Sequence, residues 1–211
     1  MNWVVENLKK RLRKLSQKQK LVGLGALLIV GLIGHNIYMA NKRLSVDQET
    51  YKPLLGLISQ AESKGNYNAY FGNAGNKSID FTKMSISEVL DWQSEFVKNG
   101  SPSSAVGRYQ FLNTTLLDLV NSLGIDKSTR FNESTQDNLA IKLLERRGSE
   151  DYVNDDISKD KFAANLAMEW ASLPKVAGEN PNQSHYQPDG INKALVEPYQ
   201  VLEAIDHIAA E

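Results

Sequence analysis

The chain of 211 residues contains no cysteine and only three histidines. The first absence excludes disulfides, thiol nucleophiles and thiolate zinc sites, while leaving the compartment open, because many exported proteins also lack cysteine. The second leaves little for an imidazole site. His35, His185 and His207 show no ligand spacing, and neither a metal nor another cofactor is expected. A basic surface is also missing from most of the chain: residues 44–211 carry fifteen Lys and Arg against twenty-four Asp and Glu, a charge of −9. Nucleic acid is therefore not an expected partner, since phosphate binding needs a basic face.

The positive charge is concentrated at the start, where residues 1–43 carry nine Lys and Arg against one Glu. There "ENLKKRLRKLSQKQK" runs into "LVGLGALLIVGLIGHNIYMA", an uncharged stretch over residues 21–40 that is long enough to cross a bilayer as a helix. Seven basic residues precede it and only Lys42 and Arg43 follow closely. This bias predicts residues 1–20 in the cytoplasm, a membrane helix over residues 21–40, and export of everything after it. A cleaved signal peptide is the competing expectation, although no small-x-small site follows the apolar run. Gly23, Gly25, Gly31 and Gly34 suit either helix packing in lipid or an anchor loose enough to leave the bilayer. Residues 41–50 are polar and unpatterned and are expected to tether a domain over residues 51–211.

That domain reads as α+β and predominantly helical. "YKPLLGLISQAES" has Pro53 in its first turn and Gly65 beyond its end; "SISEVLDWQSEFVKNG" opens on a Ser85-x-x-Glu88 capping box; "TTLLDLVNSLG" stops at Gly124. "STQDNLAIKLLERRG" closes on Gly148, and the acidic run "SEDYVNDD" after it reads as a solvated loop. Phe162, Leu166 and Trp170 recur every four residues up to Pro174, which predicts one helix with Trp170 in the core. Val201, Leu202, Ile205 and Ile208 stripe a last helix. Between Tyr67 and Phe81 the Asn- and Gly-rich sequence predicts a small β-hairpin.

One side chain conflicts with this pattern. Leu55, Ile58 and Glu62 fall at i, i+3 and i+7, so Glu62 lies on or beside the apolar face, and in the last turn, where the helix dipole is negative. Both effects disfavour its ionised form and move a carboxyl toward the range of a general acid. The structural alternative is a surface Glu turned to water, pairing with Lys64.

"SAVGRYQF" at residues 104–111, then "ESTQDNLAIKLLERRG" and "EWASLP", complete a set of spaced motifs. In this order the set resembles the lysozyme-fold endolysins of the phage lambda type, which are peptidoglycan lytic transglycosylases, over roughly residues 51–186. The resemblance implies a lysozyme-like domain that cuts the β-1,4 bond between N-acetylmuramic acid and N-acetylglucosamine, with peptidoglycan glycan strands as partner. It makes Glu62 the catalytic acid/base and Arg108, Tyr109 and Gln110 the loop and helix start lining the sugar groove. Ser104, Gln136 and, more loosely, Tyr186 are further substrate-binding candidates. Each has a structural alternative: Arg108 as an ion-pair partner, Tyr109 as core, Gly107 as a backbone turn.

Hydrolysis ordinarily needs two carboxylates flanking the bond. After Glu62 the next acid is Asp80, seventeen intervening residues on, where the far limb of a hairpin would set it across the cleft. A transglycosylase needs one. The expectation is therefore lytic cleavage by Glu62 with an anhydromuramoyl product. A Glu62/Asp80 hydrolase and a non-catalytic peptidoglycan-binding module are the alternatives. Phage lysis, genome delivery and a cell-encoded secretion role all remain compatible with an anchored wall-cutting domain.

Overall fold

Helix α1, Lys52–Ser63, starts with Pro53 in its first turn, where a missing N–H costs nothing. It stops because Lys64 and Gly65 both turn left-handed, at φ 55° and 78°, and their N–H groups return to the carbonyls of Gln60 and Ser59. The computed structural model describes residues 46 and 48–208. The basic segment, the apolar stretch over residues 21–40 and most of the tether thus lie outside the described residues. Among the described residues no helix is long and apolar enough to cross a membrane.

Six more helices follow among the described residues: α2 Ile86–Lys98, α3 Asn113–Leu123, α4 Glu133–Arg146, α5 Ser149–Val153, α6 Lys159–Ala167 and α7 Pro198–Asp206. The expected capping box on α2 forms, with Ser85 and Glu88 satisfying each other's backbone N–H groups. Asn132 caps α4 through the N–H of Thr135, and Ser158 caps α6 through that of Lys161. The apolar faces meet in one core that includes Leu54, Ile58, Phe81, Phe111, Phe131, Leu139, Leu143, Phe162, Leu166, Val201 and Ile205. Each large side chain withdrawn from water contributes about 1.5–3 kcal/mol. Helix α1 lies against α7, which also packs on α6. At the opposite end of α1, the Tyr51 hydroxyl and Ser149 Oγ share a buried hydrogen bond of 2.6 Å. Burial pushes the Tyr51 phenol up to about 12, against the lowering effect of that bond.

Three expectations are corrected. The acidic run after Gly148 is not all loop, since its first residues make the short helix α5. The Phe162–Leu166–Trp170 stripe outlasts its helix: α6 ends at Ala167, and Trp170 is buried from the turn beyond. The hairpin at residues 67–81 is replaced by turns with isolated bridges, Tyr70 to Asn73 and Tyr70 to Val106. Asparagine side chains cause this. Asn66 Nδ2 donates to the carbonyls of Ala74 and Asn76, Asn76 Nδ2 to those of Asn68 and Ile79, and Asn68 Oδ1 accepts from Thr82 N–H. Backbone groups satisfied locally by side chains have no need of a ladder.

Candidate active site

Glu62 sits one residue from the end of α1, partly buried. Its Oε1 accepts two hydrogen bonds from one residue, Ser172: from the hydroxyl at 2.7 Å and from the backbone N–H at 3.3 Å. Burial raises its pKa above the ordinary carboxyl value, and the two Ser172 donors act in the opposite direction. Ser172, not Lys64, is the partner. It is 4% exposed and follows Trp170, which is 3% exposed and donates Nε1–H to the Tyr109 carbonyl at 3.3 Å.

The Gly-Arg-Tyr-Gln motif forms a closed loop, not a helix start. Val106 and Phe111 exchange both backbone hydrogen bonds across it, and α3 begins later, at Asn113. Gly107 has φ +85°, and a Cβ there would overlap Gln136 Oε1. That oxygen accepts the Arg108 N–H at 2.8 Å, while Gln136 Nε2 donates to the carbonyls of Tyr67 and Phe131. Gln136 is fully buried. As a substrate contact it is therefore corrected: its amide is consumed in holding three backbone segments together.

Arg108 lies between two phenols, with its guanidinium 4.6 Å from the Tyr67 ring centroid and Nη1 donating to the Tyr67 hydroxyl at 2.5 Å. Tyr67 and Tyr109 both donate to the Asp137 carboxylate, at 2.9 and 2.7 Å. Burial, reinforced by the Asp137 bond, raises both phenols. Tyr109 is 2% exposed, so its predicted sugar contact is corrected to a core role. Half-buried Arg108 and Gln110 remain at the loop surface; Gln110 is left-handed, at φ 52°, and Nε2 donates to the Gly107 carbonyl. Ser104 Oγ accepts the N–H of Asn113, a cap for α3 supplied from outside the helix. The loop and the acid are joined by Ser63, whose hydroxyl donates to the Arg108 carbonyl at 2.7 Å.

Asp80 is exposed and paired with Lys83 at 2.6 Å in solvent. Tyr186 presents an exposed ring, its hydroxyl donating to the Met168 carbonyl at 2.7 Å. Ser172, Tyr67 and Asp137 are the residues that the sequence reading missed. Ser172 and Asp137 lie within the motifs and Tyr67 at the start of the Asn- and Gly-rich segment, but nothing local marks contacts that span 110 or 70 positions.

In comparison with known proteins, a family model described as Endolysin matches residues 52–200. Among solved structures, that of bacteriophage lambda lysozyme complexed with a chitohexasaccharide is similar at TM-score 0.47 and 17% identity, covering 77% of this chain and 95% of that one. No curated protein matches the chain.

Proposed function

Because the chain belongs to the endolysin family of peptidoglycan-degrading enzymes, we propose that it is a lytic transglycosylase that cleaves the bond between N-acetylmuramic acid and N-acetylglucosamine with Glu62 as its one acid/base. The observation that carries this reading is the setting of Glu62: a partly buried carboxyl, raised by burial, with Ser172 alone as its hydrogen-bonding partner among the described residues. Protonated, it gives its proton to the glycosidic oxygen as the C1–O bond breaks. As a carboxylate it then takes the proton of the muramoyl 6-hydroxyl, whose oxygen closes on C1. No water is consumed, and the acid is regenerated. Asp80 is exposed and occupied by Lys83, a poor second carboxylate for a mechanism in which the two must flank the bond.

Product masses from purified sacculi test the proposal. Transglycosylation gives muropeptides lighter by one water than those of hydrolysis; products carrying the added water would make the enzyme a hydrolase and overturn it. The charge bias around residues 21–40 supports an anchored enzyme with its domain on the wall side, suited to local cutting in phage lysis or genome delivery. The exposed faces of Arg108, Gln110 and Tyr186 are proposed to meet the glycan.

A further inference from the structure

We propose that Ser172 is a positioning residue that divides the two oxygens of Glu62, holding Oε1 as a standing acceptor and leaving Oε2 as the oxygen that carries the transferred proton; this rests on Glu62 being the acid. Both Ser172 donors converge on Oε1. These two donors occupy both acceptor positions of Oε1, so the proton of the acid form is carried more readily on Oε2. Oε2 has no hydrogen bond among the described residues, yet it is not one of the buried atoms lacking a partner, so it reaches solvent. One oxygen is bound and the other is free.

Ser172 is itself held. Its carbonyl accepts the Leu195 N–H at 2.8 Å, and it is flanked by buried Trp170 and Leu173. On the other side Ser63 ties the end of α1 to the motif loop. The Ser172 end of this contact and the end of α1 that carries Glu62 are thus each held by elements far apart in sequence. The charged groups on the surrounding elements have other environments: Lys64 is exposed, Arg108 is on Tyr67, Glu169 is paired with Arg147, and on α7 Glu203 is exposed and Asp206 is paired with Lys159. Burial is the main cause of the raised pKa of Glu62, and the two Ser172 donors oppose it.

The test is the rate of clearing of purified sacculi as a function of pH, with melting temperatures, for Ser172→Ala, Ser172→Thr, Ser172→Cys and Glu62→Gln. Loss of the hydroxyl should slow Ser172→Ala by about tenfold at its optimum. It should also move the alkaline limb to higher pH, because a donor that favoured the ionised form has gone. Ser172→Thr should restore the rate and the limb. Ser172→Cys fills the site that Ser172→Ala empties but is a weak donor, so its limb should move as that of Ser172→Ala does, which separates the hydrogen bond from a cavity. A limb that stays in place in folded Ser172→Ala and Ser172→Cys overturns the proposal. Activity in Glu62→Gln would instead remove the catalytic reading beneath it.

Discussion

Among the described residues, the loop carrying Arg108 is tied by hydrogen bonds to Ser63, Tyr67, Gln136 and Asp137, whereas the Glu62 carboxyl bonds to Ser172 alone. The motif loop is held by Gln136, two phenols and Asp137, while Arg108 Nε is a buried atom without a partner among the described residues. A network of this kind fixes the geometry of the loop and leaves the outward faces of half-buried Arg108 and Gln110 to meet a ligand. The acid is the reverse case: it is placed where its charged form is disfavoured, and one of its oxygens is uncommitted. The two regions divide the work, one supplying shape and the other reactivity.

The largest loss of activity should follow Glu62→Gln. The amide keeps an oxygen for both Ser172 donors, so the fold should persist while sacculus clearing falls by about 10²–10⁴-fold. The pH dependence has a definite sign. The folded pKa of Glu62 is raised, so its contribution to stability is fully present below the unfolded carboxyl value and is lost as pH rises through the folded one. Wild-type melting temperature should therefore lose this increment on going from acid to neutral pH, and Glu62→Gln should not. Activity follows the same proton, declining as pH passes the raised value. Clearing by the variant at near wild-type rate would leave Glu62 a structural residue.

On the shape side, Gln136→Ala should act on stability first. It leaves the Arg108 N–H and the carbonyls of Tyr67 and Phe131 without their partner, and unsatisfied buried groups cost about 1–3 kcal/mol each. A loss of about 3 kcal/mol in denaturant unfolding is expected, with turnover per folded molecule falling far less than in Glu62→Gln. Unchanged unfolding with lost turnover would restore the sugar contact that its residue type suggested.

That residue shows where sequence was informative and where it was not. Glu62 stood out because helical period and position within one helix are local properties, read from Leu55, Ile58 and Gly65 alone. The capping box on α2 was legible for the same reason. Gln136 was misjudged because an amide suits a sugar and a buried backbone equally, and burial is settled by packing from other elements. Ser172 was passed over because its bond to the acid joins residues 110 positions apart. In the 67–81 segment the turn residues were visible, but the choice between a hairpin and an asparagine-stapled loop depended on which backbone groups those side chains would reach.

Asp80 is the carboxylate a hydrolase would need beside Glu62, and it lies in solvent with Lys83, each side chain more than half exposed. An exposed pair of this kind contributes about 0–1 kcal/mol, so Asp80→Asn should leave the melting temperature almost unchanged. If Glu62 acts alone, clearing rate and product masses should also stay close to wild type. A hydrolase using Asp80 as nucleophile or base would lose orders of magnitude. A large loss in folded Asp80→Asn would thus move reactivity from one carboxyl to two, and water would have to appear in the products.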